Sequence, residues 1–344
     1  MKINKIKLED MKRCYAVGVL DSSHSTRVIF ASEDPGHTCY SYNVNDFNDK
    51  ELVWDGPGGT MSIVQIPNHC DGFLAVQEFY LSASPSLSKI VYCHKTNDKW
   101  QIDDLLYLPY VHRVDIISKN RVNYLICATV AETKDYKEDW TKPGSIYVGT
   151  IPKNLSEGIN LKCIKDGCYR NHGYWRGNYH GEQCGFFASD QGVFCITPPS
   201  IIEGNWNIEK VLDGQISEIA LVDIDNDGDD EMITIEPFHG DRIKIYKKKL
   251  GVFKEVYVYP YKINFAHALV GAKICGKNSF IGGVRRENSE LFIIQYHDGK
   301  YIETIIDTGA GPANIRVINQ DGYDFIFSAN HTKNEAAVYV VSED

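Results

Sequence analysis

Five of the eleven histidines stand at the edges of short apolar runs. His112 opens HRVDII, His172 opens HGYWRG and His267 opens HALVGA, while His239 closes EPFH and His331 closes SANH. Imidazoles brought together with a carboxylate such as Glu218, which opens EIALV, make a ligand set for Zn, Mn or Fe. Free imidazoles also move protons near neutral pH. Arg285 and Arg286 close GGVRR, and Gln77 and Glu78 close FLAVQE, so both pairs share the run-end position of His239 and His331. A second chemistry is written in DIDNDGDDE. Asp223, Asp225 and Asp227 alternate, Gly228 permits a sharp turn and Glu231 can close the loop, the pattern of a structural calcium site. The competing interpretation is a solvated Asp/Gly turn held by its own side chains.

The elements that must position these residues are β-strands. Short β-like runs divided by Gly, Asn, Asp and Pro cover the chain and recur in groups of four about every 45 to 60 residues, which is blade spacing. The clearest unit, 217–263, reads EIALVDID, EMITIEPF, RIKIYKKK and KEVYVYPY. The unit 264–311 repeats that order, and 312–344 holds only three strands, which leaves room for the N-terminal INKIKL to close a ring. With earlier units at 14–60, 61–110, 111–170 and 171–216, the expectation is one all-β domain over 1–344. It is a seven-bladed β-propeller of four-stranded blades, with an insertion near Lys134–Gly144. In such a ring, first-strand starts and second-strand ends share one rim, so the five histidines converge on a central funnel. His69 and His180 fall towards the opposite face.

Composition narrows the function. A net charge of −10 removes general attraction for nucleic acid or an anionic membrane. No apolar run reaches the roughly 18 residues of a membrane span, and Met1–Arg13 is charged with no apolar signal core. Ten cysteines are scattered without a CxxC pair, several in strand-like runs, which reads as reduced core cysteines of a cytoplasmic protein; a secreted, disulfide-bonded form is the alternative. GPGG at 56–59 and GAGP at 309–312 lack the ending of a phosphate loop. Lys247–Lys249 read as a solvated strand end.

DIDNDGDDEMITIEPFHGDRIKIYK resembles FG-GAP/VCBS-type propeller repeats. The segments AHALVGAK, FIGGVRR, ELFIIQY and DTGAGPANIRV, with SANHTKNEAAVYV, resemble the propeller domain of aldos-2-ulose dehydratase and its bacterial relatives. GGVRR departs from that pattern, which carries a His before the Arg. The resemblance implies a metal-dependent carbon–oxygen lyase that eliminates water from a keto-sugar or a related small sugar derivative. In that expectation His112, His172, His267 and Glu218 hold the metal and His239 and His331 move protons. Arg285 and Arg286 assist catalysis by orienting substrate, and Tyr174, Trp175, Gln77 and Glu78 bind the sugar. Two other functions fit the same fold: a polysaccharide lyase on uronic-acid glycans, and a non-catalytic propeller binding a glycan or a protein. The oligomeric state is not written in the sequence.

Overall fold

In the computed structural model, residues 1–22, 24–80, 85–320 and 322–343 are described. They form seven four-stranded antiparallel sheets arranged as the blades of a propeller. Blade 1 comprises Cys14–Asp21, Thr26–Ser32, Cys39–Asn43 and Asp46–Trp54; blade 2 Ile63–Gln65, Gly72–Gln77, Lys89–Thr96 and Lys99–Tyr107. Blade 3 comprises Val111–Lys119, Val122–Thr129, Gly144–Thr150 and Lys162–Cys168; blade 4 Gly173–Tyr179, Glu182–Ser189, Gly192–Thr197 and Asn207–Leu212. Blade 5 comprises Glu218–Val222, Glu231–Glu236, Arg242–Lys249 and Val252–Val258; blade 6 Asn264–Ile274, Lys277–Arg286, Leu291–His297 and Lys300–Asp307. Blade 7 takes Pro312–Gln320, Tyr323–Asn330 and Glu335–Ser342 from the C-terminus, and its outermost strand, Lys2–Asp10, from the N-terminus. That strand runs antiparallel to the last one, with Lys2 opposite Ser342 and Asp10 opposite Glu335. A ring joined in this way leaves only short, protected sheet edges.

Local sequence explains the hairpins. Asn97–Asp98 and Asn120–Arg121 each place two consecutive residues at positive φ, the backbone of the tight turn whose twist matches the flanking strands. The core lies between blades rather than in one centre. Ile233, Ile235 and Ile245 of blade 5 pack on Leu269, Phe280 and Phe292 of blade 6. Phe327 and Val338 of blade 7 pack on Val17, Val28 and Phe30 of blade 1, which seals the ring with apolar surface. Near the axis the first strands come very close. A Cβ on Gly271 would lie 2.4 Å from the Leu221 carbonyl oxygen, so only glycine fits there.

One backbone device recurs at the upper end of the first strands. Tyr15, Met61, His112, His172, His267 and Ala313 point to the axis, and the residue two positions before each has positive φ: Arg13, Gly59, Tyr110, Arg170, Phe265 and Gly311. At Tyr15, His112, His267 and Ala313 the pairing register also slips, so that the residue is the extra one of a bulge. A bulge re-aims a side chain out of the normal alternation. The segment 130–143, between the second and third strands of blade 3, reaches over this end. Its Lys134 ammonium lies 3.1 Å from the centre of the Trp140 ring.

Candidate functional site

The upper end of the axis opens into a funnel of about 470 Å³. Its floor is a cluster of imidazoles. The ring centres of His112 and His172 are 4.5 Å apart, those of His172 and His239 4.8 Å, and those of His239 and His267 5.0 Å. Nδ1 of His172 lies 3.2 Å from the Ser217 carbonyl oxygen, and Nδ1 of His267 2.8 Å from that of Ala313. A carbonyl only accepts, so both rings carry their proton on Nδ1 and turn a bare Nε2 inward. Nε2 of His239 is 3.4 Å from Nε2 of His172. One ligand atom from each of His172, His239 and His267 lies within 4.8 Å of the others, a separation that suits a shared ion. The Tyr15 hydroxyl bridges Nε2 of His112, at 3.1 Å, and Nε2 of His267, at 3.3 Å.

Burial depresses the pKa of every imidazole on the floor. His112, His172 and His267 fall well below the ordinary value, with burial the main cause and neighbouring Arg113, Arg285 or imidazoles adding to it. His239 falls to about 3, from burial and then Arg285. The floor is therefore neutral and composed of lone pairs. The walls are aromatic: Phe79, Trp140, Phe238 and Phe265. Phe265 and His239 stack at 4.4 Å, both from left-handed backbone, a strain that concentrates at functional sites. The rim carries charge. Burial opposes ionisation of Glu33, but bonding to His331 and the charges of His331, Arg285 and Arg13 outweigh it and hold its carboxyl near 2.

The residues expected from sequence divide between two faces. His112, His172, His239 and His267 meet on the floor, and Arg285, Arg286 and His331 stand at the rim. The assignment of ligands among them is corrected. Glu218 does not join the metal set: its Oε2 accepts from Nη2 of Arg113 at 2.5 Å, and its Oε1 accepts from the backbone N–H of Tyr174 at 3.0 Å. Its nearest imidazole nitrogen is Nδ1 of His172, at 3.6 Å, on the side of the ring turned away from the cluster. His239 takes the place expected of His112, because the nitrogens that lie within 4.8 Å of one another belong to His172, His239 and His267. His331 is not an available proton carrier: Nε2 is 2.8 Å from Oε1 of Glu33, and Nη2 of Arg285 sits 2.7 and 2.9 Å from its ring nitrogens.

The four substrate-binding expectations are corrected as well. Tyr174 and Trp175 line the cavity at the opposite end of the axis. Gln77 is buried outside the funnel lining, and Glu78 is paired with the Lys89 ammonium at 2.8 Å. The calcium expectation also changes. The Lys247 ammonium binds Asp225, lies 2.6 Å from Asp227 and lies 3.1 Å from Glu231, so a lysine stands among the oxygens a calcium would use. Asp223 instead accepts from the backbone N–H groups of Asp227 and Gly228, each at 3.0 Å. One oxygen from each of Asp223, Asp225 and Asp227 lies within 4.8 Å of the others, so the turn gathers an oxygen set whose neighbouring cation is the Lys247 ammonium, and Lys247 is not a solvated strand end. Sequence reasoning missed Tyr15, Glu33, Phe79, Trp140, Phe238 and Phe265. Tyr15 was recoverable, because CYAVGV occupies the blade position of VHRVDII.

No family model matches the chain, and no curated protein matches it. Among solved structures it is similar to the β-propeller domain of Myceliophteria thermophila Cps50 (Swd1), at 10% identity and a TM-score of 0.62 over 100% of both chains. It is also similar to Saccharomyces cerevisiae Sqt1, at 7% identity and a TM-score of 0.59 over 98% of both chains. These are WD40-type propellers rather than propellers of the FG-GAP or aldos-2-ulose dehydratase kind. The expectation of a carbon–oxygen lyase, and with it the enzyme assignment, is withdrawn: the likenesses are to propellers of another kind and, at 7–10% identity, show the fold. The geometry agrees with that correction, because the carboxylate and the second proton carrier on which the elimination chemistry depended are both committed elsewhere.

Proposed function

We propose that this chain is a non-catalytic, protein-binding propeller whose upper funnel receives an acidic anchor residue of a partner protein. The observation that carries this reading is Arg286. Its exposed guanidinium stands 4.4 Å from the centre of the Phe265 ring at the funnel mouth, with no carboxylate partner among the described residues. Beneath it lies a neutral, aromatic-walled well in a rigid ring, the kind of pocket in which an interface concentrates its binding energy. The likeness to the Cps50 (Swd1) and Sqt1 propellers supports the reading at the level of fold. Partner selection from a displayed random-peptide library tests it. Peptides with Asp or Glu beside an aromatic or aliphatic residue are expected to be enriched on the wild-type chain and lost on Arg286→Glu. Equal enrichment on both would reject the funnel as the docking site.

A second reading concerns the floor of the same funnel. The bare Nε2 atoms of His172 and His267, fixed from behind by backbone carbonyls, and the adjacent His239 favour a divalent transition metal, zinc above all. In this reading the ion offers an open position to an oxygen of the partner's anchor. Ten free cysteines, seven of them buried, support a reducing, cytoplasmic setting. Among the described residues no helix is long and apolar enough to cross a membrane.

A further inference from the structure

The opposite end of the axis holds a larger cavity, about 710 Å³, that lies beyond the funnel reading altogether. The first strands alternate, so the side chains below the rim position project into it. Three are arginines: Arg113, Arg176 and Arg316. Two have partners. Arg113 donates to Glu218 and, at 3.3 Å, to Oδ1 of Asn314, while Arg176 lies 3.4 Å from Asp115. Arg316 differs. Among the described residues its one hydrogen bond is Nη1 to its neighbour's carbonyl, Ile315, at 2.9 Å, and no carboxylate lies within salt-bridge distance. A guanidinium has five N–H donors in a flat fork shaped for two oxygens of one anion. Here that fork stands inside the channel with Trp175 on the wall, while Arg113 and Arg176 line it with their carboxylates, Glu218 and Asp115. Enclosure by the channel and then Arg113 lower the pKa of Arg316, while the Asp115 and Glu218 carboxylates act in the opposite direction. The Arg316 side chain is exposed to the channel, so the fork is free to take two oxygens of an anion that enters.

We infer that the lower cavity binds a small molecule through a phosphate or carboxylate group, clasped by Arg316 and flanked by Arg113 and Arg176. A volume of this size admits a metabolite-sized ligand. Its arginines recognise the oxyanion, and the sheet walls of Val17, Val64, Val270 and Val317 take the remainder.

The test titrates the full chain with inorganic phosphate and, separately, with succinate at constant ionic strength. It follows the melting temperature and tryptophan fluorescence. A saturable response to phosphate alone assigns a phosphate ligand, and a response to succinate alone assigns a carboxylate. Arg316→Gln is expected to weaken the response at least tenfold, Arg316→Lys to weaken it partially because the fork is lost, and Lys262→Gln, at an exposed cation, to change it less than twofold. Should Arg316→Gln fail to fold, Arg316→Lys carries the comparison. No saturable response to either anion, or an undiminished one in both Arg316 variants, overturns the inference.

Discussion

The two ends of the axis are built from the same seven first strands and have opposite chemistry. The upper funnel presents neutral imidazole lone pairs, a cation's environment, and its rim cations Arg13 and Arg285 are already matched by Glu33. The lower cavity presents guanidiniums, an anion's environment, and leaves Arg316 unmatched. Between them lies a single charged layer, the pair Arg113–Glu218, with Nε of Arg113 also donating to the His172 carbonyl at 2.9 Å. On the lower face Lys247 shows that the fold readily surrounds a cation with carboxylates; among the described residues Arg316 in the cavity, like Arg286 at the upper mouth, has no carboxylate within salt-bridge distance. One step along a strand is thus enough to change from a metal-like site to an anion-like one.

The dividing layer is the place to break this contrast. Glu218→Ala removes a carboxylate that is 4% exposed and leaves Arg113, and the N–H groups of Tyr174 and Ile219, without their acceptor. Losing one partner of a buried ion pair costs about 3–5 kcal/mol, so urea unfolding of this variant is expected to show a loss of that size. A loss below about 1 kcal/mol would mean that the two ends are not separated by this pair. Zinc sharpens the contrast from above. At a hundredfold excess over its dissociation constant it is expected to stabilise the chain by about 2.7 kcal/mol, read as a rise in melting temperature that EDTA reverses. The rise should vanish in His172→Ala and persist in Arg316→Gln. A rise in melting temperature that survives His172→Ala would place the ion elsewhere.

How much of this was legible depended on whether local sequence set the direction of a side chain. The ring, its seven units and its closing N-terminal strand follow from strand and turn spacing, and the histidines were placed at the correct end because runs beginning or ending there must share a rim. Glu218 was misplaced by one residue. The position matching His172 in blade 5 is Ser217, whose hydroxyl accepts from the His239 N–H at 3.0 Å; Glu218 is one step deeper and so faces Arg113. Tyr174 and Trp175 failed for the same reason, since the chain has already passed below the imidazole layer when it reaches them. A slip of one residue in a strand reverses every face. The bulges that turn Tyr15, His112 and His267 inward rest on left-handed residues such as Arg13, Tyr110 and Phe265, which no glycine announces. Lys247 was invisible because its carboxylate partners come from a different hairpin of the blade.

The smallest expected effect tests whether the funnel floor is as dry and neutral as its depressed imidazoles imply. His239 holds a pKa of about 3 in the folded chain, against about 6.5 when unfolded. Between those values the unfolded chain takes up a proton that the folded chain refuses, so stability is complete above about pH 6.5 and is lost progressively as pH falls towards 3. At pH 5 the share belonging to His239 is about 2 kcal/mol. In metal-free protein, His239→Asn is expected to flatten the fall in unfolding free energy between pH 7 and pH 5 by that amount, whereas Arg316→Gln leaves it unchanged. An identical slope in wild type and His239→Asn would mean that water or a counter-ion reaches this imidazole. The upper end would then be a polar well like the lower one, and the contrast between the two mouths would rest on the arginines alone.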